Sequence, residues 1–339
     1  VVRAGQVLAP RAVCRGWRVE ALGGIQQSWC AVPTRQNTPG CVLAERLSVR
    51  VAPGWTTRFA PAPTGWLHLG HAVNAVYVWG LARAAGGRVL LRVEDHDRGR
   101  CRREYENGLL DDLDWLGLVP DIGLQRQSDR DVIYETALTR LSRWDARLAY
   151  PCACSRRDIA ATSSDVFGAE SPYPGTCRLQ SVDPATTHAR RIVMEPGEES
   201  FVDVALGVHS QDPAAQCGDF LARDRSGNWT YQFAVVVDDF EQHIDVVIRG
   251  DDLLSSTGRQ VRLARLLGRA APPAFLHHPL VRHAGGAKLS KSDGATGLRD
   301  MRALGWSAER VLGEAAWLGG LRPESRPLAA ADLAELFGA

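Results

Sequence analysis

The sequence predicts an α/β domain built on a parallel sheet, and three observations predict it. Residues 55–60, 70–85 and 88–93 read as strand, helix and strand, joined by short loops rich in Pro and Gly. A further strand, loop and helix follow over residues 243–267. The residues richest in chemistry (His68, His71, Glu94 and Asp95) fall in the loops after the strands of the first unit. A strand–helix–strand unit implies a parallel sheet with helices on its faces, and such a sheet receives its ligand at the carboxyl ends of its strands.

Each element has its own warrant. Residues 55–60 are a short strand that runs into the loop Pro61-Ala-Pro-Thr-Gly-Trp-Leu-His68-Leu-Gly70-His71. From Gly70 the apolar residues Val73, Val76, Tyr77, Leu81 and Ala84 recur at helical spacing until Gly86-Gly87 stops them. Residues 88–93 are an apolar run ending in Glu94-Asp95. Amphipathic helices are expected over 107–116 and 131–148. Residues 151–180 break into Cys, Pro and Gly and read as an insertion. Residues 190–230 read as short strands with turns, one of them Arg225-Ser-Gly-Asn228. Residues 243–249 form a strand, Gly250-Asp251-Asp252 a loop, and a helix capped near Ser255 and Ser256 reaches Leu267. The final stretch, 296–339, is expected to be helical with Gly and Pro breaks.

This gives five regions. Residues 1–55 have no sustained period of 2 or 3.6 and hold three scattered cysteines. They are expected to be a poorly ordered extension without a catalytic role. Residues 56–150 and 226–295 are expected to form the two halves of a nucleotide-binding domain. Between them lies the insertion, 151–225, and after them the helical segment 296–339.

Composition excludes some classes. The chain has 339 residues, 45% hydrophobic and 23% charged, with a formal net charge of +1. Such values are ordinary for a water-soluble domain. No apolar run approaches the roughly 18–20 residues that span a bilayer, so no membrane partner is expected. Eight cysteines in a chain without a secretory signal argue for a reducing cytoplasm rather than a disulfide framework.

Two loops carry the chemistry. Backbone amides at a helix N-terminus form an anion cradle, and Gly65 and Gly70 allow close approach. His68 and His71 can add donors to a phosphate whose charge grows in a transition state. By itself this pair also suits a structural role or a metal pair, although no third ligand of fitting spacing lies nearby. In the second loop, Lys288 and Lys291 flank Leu289-Ser290, with Gly285-Gly286 before and Gly294 after. Gly-flanked lysines can close over a triphosphate. Lys- and Ser-rich surface loops are common, so it is the pairing that points to ATP.

The cysteines Cys152, Cys154 and Cys177 cluster in the insertion. Three thiolates with a fourth donor suit tetrahedral Zn²⁺. The tight Cys-x-Cys spacing leaves free thiols open as the alternative, and Asp158 or His188 could be the fourth donor.

With these motifs in view, the chain resembles the class I aminoacyl-tRNA synthetases, whose paired ATP motifs read His-Ile-Gly-His and Lys-Met-Ser-Lys-Ser. Here they stand as His68-Leu-Gly-His71 and Lys288-Leu-Ser-Lys291-Ser292. Arg58-Phe-Ala-Pro-Ala-Pro-Thr-Gly, Leu91-Arg-Val-Glu94-Asp95-His-Asp97 and Val247-Ile-Arg249-Gly-Asp-Asp-Leu-Leu resemble the glutamyl branch. The resemblance covers about residues 56–300 and implies a Rossmann-type catalytic domain. It also implies activation of L-glutamate by ATP and Mg²⁺ to glutamyl-adenylate. His68 and His71 would then serve the α-phosphate and Lys291 the leaving pyrophosphate, with Gly70 and Lys288 completing the ATP site. The segment Arg58, Phe59, Ala60, Pro61 and Ala62, with Glu94, Tyr231 and Arg249, would hold glutamate. The chemistry agrees, since Arg forks suit carboxylates and an acid suits the ammonium.

Only residues 292–339 follow the lysine motif, too few for an anticodon-binding domain of ordinary size. The chain therefore resembles shortened members of the branch, which attach glutamate to queuosine in tRNA(Asp) rather than to a tRNA 3′ end. That resemblance also implies Zn²⁺ on Cys152, Cys154, Tyr173 and Cys177, and a monomer is expected. The alternatives are an ordinary glutamyl-tRNA synthetase, or a fragment of one, acting on tRNA(Glu), and a silent tRNA-binding module. The intact His and Lys motifs count against the silent module.

Overall fold

The structure is a computed structural model that describes residues 38–145, 147–162, 172–180, 182–281 and 297–338. In chain order its regular elements are α1 (Pro39–Ser48), β1 (Thr56–Phe59), α2 (Leu69–Ala84), β2 (Arg88–Val93), α3 (Arg103–Trp115), β3 (Ile122–Arg126) and α4 (Asp131–Trp144). The insertion region brings β4 (Ala149–Pro151), α5 (Arg156–Thr162), β5 (Arg190–Ile192), β6 (Glu199–Asp203), β7 (Gly207–Gln211), α6 (Pro213–Cys217) and β8 (Phe220–Arg223). Then come α7 (Tyr231–Glu241), β9 (Val246–Gly250), α8 (Thr257–Leu266), β10 (Ala274–His278), α9 (Leu298–Ala303), α10 (Ala308–Leu318) and a 3₁₀ segment, Ala330–Phe337.

The first strand–helix–strand unit is as expected. β1 pairs in parallel with β2, with Thr56 opposite Arg88 and Phe59 opposite Leu91, and β2 pairs in parallel with β3. Helix α2 stops where Gly86 turns the chain at φ 68°, a value that a side chain resists. A second sheet runs β7-β6-β10-β9, with β9 and β10 parallel. The two sheets meet at β1 and β9. Thr56 N donates to Asp245 Oδ2 and Asp245 N donates to Thr56 O, both at 2.8 Å. Strand order therefore reverses between β1 and β9, the crevice where doubly wound sheets bind ligands. The antiparallel sheet β4-β5-β8 belongs to the insertion.

The main core surrounds α2, whose Val73, Val76, Val78, Leu81 and Ala82 are buried. α2 packs on α10 and on the 3₁₀ segment. A second core joins α4, α7 and α8 through Tyr134, Leu141, Phe233 and Leu263. A third, small core joins Tyr150, Cys152, Tyr173 and Cys177. No helix among the described residues is long and apolar enough to cross a membrane.

Some expectations need correction. Within the stretch expected to be an unordered extension, residues 39–48 form α1, which packs on the 3₁₀ segment and buries Cys41, Ala44 and Leu47. Thr38 caps it and Pro39 opens it, signals too short to establish a period. Residues 1–37 lie outside the described residues. The helix expected over 131–148 ends at Trp144, and residues 149–151 become a strand. The helix expected from residue 107 begins at Arg103.

Candidate active site at the sheet crossing

The histidines sit at the start of α2. His68 is the N-cap, and its Nδ1 accepts from Gly70 N at 3.1 Å. His71 Nδ1 accepts from His68 N at 3.1 Å, so the two rings form a reciprocal cap with centroids 4.0 Å apart. A ring nitrogen that accepts carries no proton, so each neutral imidazole bears its proton on Nε2. Gly70 has a steric reason as well. A Cβ there would lie 2.9 Å from His68 Cε1.

Behind the histidines lies a cleft of about 280 Å³, lined among others by Arg58, Ala60, His68, Gly70, His71, Asn74, Glu94, Tyr231, Arg249 and His278. Arg58 lies in β1 and Arg249 in β9, Glu94 directly follows β2, and Tyr231 opens α7. The sheet thus converges them on one edge. Arg58 is buried. Its Nε donates to Asp239 Oδ1 at 3.1 Å and its Nη1 to Ile248 O at 3.3 Å. Arg92, fully buried, bridges Asp239 at 2.8 Å and Glu94 at 3.2 Å. Burial raises the Glu94 carboxyl above its ordinary range, against the pull of Arg92 and Arg58. Burial acts on Asp239 too, but Arg58 and Arg92 overcome it and hold that carboxyl low.

Arg249 differs from Arg58 and Arg92. It is 5% exposed. Its Nε donates to His277 Nε2 at 2.9 Å, its Nη1 to Gln260 Oε1 at 2.7 Å, and its Nη2 to Thr257 Oγ1 at 2.9 Å. None of these partners is a carboxylate. Burial lowers its guanidinium below the ordinary value, and the Tyr231 hydroxyl works the other way. A buried charge met only by neutral groups is expensive, and it is a common mark of a site for an anion.

In the insertion, the sulfurs of Cys152, Cys154 and Cys177 lie within 4.8 Å of one another. Cys154 and Cys177 Sγ are 3.4 Å apart, and the Tyr173 hydroxyl is 3.5 Å from Cys152 and from Cys154 Sγ. Cys177 N donates to the same hydroxyl at 2.9 Å. Burial would raise the Cys177 thiol, but hydrogen bonds from Tyr173, the Ala153 amide and the neighbouring cysteines hold it at about 7. Among the described His, Asp and Glu residues none joins the group. Asp158 accepts from Ser155 N instead.

The residues expected from sequence divide three ways. His68, Gly70, His71, Arg58, Ala60, Glu94, Tyr231 and Arg249 line one cleft. Phe59, Pro61 and Ala62 do not line it. The Phe59 ring packs edge-on against Trp79 in the core at 5.2 Å, and Pro61 takes part through its carbonyl, which accepts from Glu94 N. Lys288 and Lys291 lie outside the described residues. Sequence reasoning missed Arg92, Asp239, Asp203 and His277. The adjacent pairs Asp238-Asp239 and His277-His278, set among apolar residues, were the available signal.

Known proteins bear on this site. The family model of the class I tRNA synthetases (E and Q), catalytic domain, matches residues 55–320. The Glutamyl-Q tRNA(Asp) synthetase of Symbiobacterium thermophilum is 42% identical over 298 residues, covering 83% of this chain and 91% of that protein. The protein of the same name in Rhodobacter capsulatus is 42% identical over 269 residues, 74% of this chain and 96% of its own. A crystal structure of a glutamate tRNA ligase from Elizabethkingia meningosepticum, in complex with its amino acid, superposes with TM-score 0.70 at 27% identity. That match covers 83% of this chain but only 64% of the ligase. With a family model over most of its length and relatives above 40% identity, the chain belongs to the class I tRNA synthetases of the E and Q type.

Proposed function

We propose that this chain activates L-glutamate with ATP and transfers the glutamyl group to the queuosine base at the wobble position of tRNA(Asp), acting in the cytoplasm. One observation carries the activation half: Arg249, a buried guanidinium with only neutral partners, faces the same cleft as Arg58, Glu94 and the paired histidines. A dicarboxylate with one ammonium matches this arrangement. Arg58 and Arg249 meet its carboxylates and Glu94 its ammonium. Tyr231, half-buried at the start of α7, adds a hydroxyl beside Arg249.

In the first step a carboxylate oxygen of glutamate attacks the α-phosphorus of ATP. The bond from that phosphorus to the bridging oxygen breaks, and pyrophosphate leaves with the electron pair. Little covalent chemistry falls to the protein, so positioning and charge neutralisation dominate. With both Nδ1 atoms engaged in the helix cap, Nε2 is the ring nitrogen through which His68 and His71 would donate to the phosphate. Mg²⁺ supplies charge neutralisation for the triphosphate. Family resemblance assigns Lys291 to the leaving pyrophosphate and Lys288 to its support.

The acceptor half rests on the relatives whose length the match nearly fills, which are named for tRNA(Asp) and glutamyl-Q. The insertion fits Zn²⁺. Three clustered thiols and one phenol are a four-donor set, and the metal would act there as a structural cross-link. Labelled glutamate offered with ATP to queuosine-bearing tRNA(Asp) and, separately, to tRNA(Glu) tests the assignment. Label is expected on tRNA(Asp) alone. Label on tRNA(Glu) alone would replace this reading with 3′-end charging, which the likeness to a glutamate tRNA ligase favours.

A further inference from the structure

The support behind Arg249 is a chain of three buried groups. Asp203, on β6, and His277, on β10, are each about 1% exposed or less. Asp203 Oδ2 lies 2.7 Å from His277 Nδ1 and accepts from His277 N at 3.0 Å. Asp203 Oδ1 accepts from Ala205 N and Leu206 N, which fixes the carboxylate in place. His277 Nε2 accepts from Arg249 Nε at 2.9 Å. An ionised carboxylate only accepts and a guanidinium only donates, so a single tautomer satisfies both neighbours. His277 bears its proton on Nδ1 and leaves Nε2 as the acceptor. Burial holds the imidazole below its ordinary value, against its hydrogen bond to Asp203, and Arg249 has no use for a second cation beside it.

We propose that His277, held in this tautomer by Asp203, is a positioning residue for the substrate carboxylate: it fixes the Arg249 fork through Nε with a neutral acceptor. The arrangement solves a specific problem. A carboxylate in direct contact would orient Arg249 equally well, but it would also pair the charge that the substrate needs. The imidazole keeps the balancing charge of Asp203 one ring away, while Arg249, whose terminal nitrogens also bond Gln260 and Thr257, remains among the residues that line the cleft. Gln260 extends the scaffold. Its Nε2 donates to Gln232 Oε1 at 2.7 Å, and Gln232 Nε2 donates to Ser256 Oγ at 2.9 Å.

This inference rests on the glutamate reading, and the test separates the two. Glutamate-dependent ATP–pyrophosphate exchange is measured on the full chain, with KM for glutamate and for ATP determined independently. No glutamate-dependent exchange by the unaltered protein would remove the substrate reading and this inference with it. Given exchange, H277F keeps a ring but loses the acceptor. It is expected to raise KM for glutamate at least about tenfold, as loss of a hydrogen bond to a charged group implies, with KM for ATP unchanged. H277Q, whose amide can accept from Arg249 and donate to Asp203, is expected to recover most of that loss. D203N offers the imidazole a donor and frees the other tautomer, so KM for glutamate is expected to rise there too. Should H277F fail to fold, the H277Q and D203N pair decides. An unchanged KM for glutamate in H277F or D203N would overturn the proposal. So would parallel loss in both KM values with a lowered melting temperature, which marks a merely structural role.

Discussion

At the scale of single residues, the two arginines that face the cleft are held in different ways. Arg58 shares Asp239 with Arg92, so part of its charge is already met. Arg249 is met by neutral groups. Arg58→Lys cannot reproduce the planar contact to a carboxylate. It is expected to raise KM for glutamate roughly tenfold, the size of a lost charge-assisted hydrogen bond. It should also lower the melting temperature, because the buried Asp239 keeps only Arg92. Steady-state exchange with a thermal melt checks both, and an unchanged KM would count against Arg58 as a ligand. The sequence made Arg58, Glu94 and Arg249 legible because each lies near the carboxyl end of a strand, at the ligand edge. It hid Asp239 and His277, whose value lies in what they touch across the sheet. No spacing rule joins residue 58 to residue 239.

At the scale of elements, helix α2 trades local stability for chemistry. Gly70 lies in its first turn, where alanine would favour the helix by up to about 1 kcal/mol. A Cβ there would meet His68 Cε1 at 2.9 Å and Nδ1 at 3.0 Å and push the ring off its cap. Gly70→Ala is expected to cut exchange about tenfold or more, on the scale of one lost transition-state donor, without lowering the melting temperature. A wild-type rate would show that His68 need not sit where it does. The α3–α9 contact offers a pH test. Asp112 on α3 is 5% exposed, and its Oδ2 has no hydrogen-bond partner among the described residues. Burial pushes its carboxyl up to about 6, against Arg302 and Arg299 and with Asp111. Between about 4 and 6 the folded chain therefore keeps a proton that the unfolded chain releases, so stability from this group falls as pH rises through that window. Asp112→Asn is expected to melt higher than the parent at pH 8 and equally at pH 4. A difference that does not change with pH would refute the assignment. Elements were legible in proportion to their periodicity. The first strand–helix–strand unit stood out, whereas α7 did not. Its Val235-Val236-Val237 run is β-branched and buried all round, so it shows no amphipathic stripe. β10 was hidden by two histidines inside an apolar strand, and β3 by its brevity and half-exposed pattern.

At the scale of the whole molecule, the candidate active-site cleft and the cysteine cluster rest on different cores. The cleft is framed by the parallel strands around α2, and the cluster by the small core of Tyr150, Cys152, Tyr173 and Cys177 on the antiparallel sheet. That small core buries few side chains, so a zinc ion bound there would supply much of its stability. Arg191 caps the cluster, its guanidinium 3.7 Å from the Tyr173 ring centroid and its Nε 3.4 Å from Cys152 Sγ. A cation there favours thiolate and phenolate forms, which are the forms that bind zinc. Purified protein is expected to contain one zinc per chain, and Cys154→Ser or Cys177→Ser to lose it. Chelation should expose the insertion to protease while glutamate-dependent exchange survives, since no cleft residue belongs to the small core. Tyr173→Phe separates the phenol from the thiols. It should weaken retention of zinc without abolishing binding, because three sulfurs remain. Metal-free protein with all three cysteines open to alkylation would show that the cluster is held by packing and hydrogen bonds alone. Loss of exchange on chelation would show instead that the insertion and the candidate active-site cleft are energetically one unit.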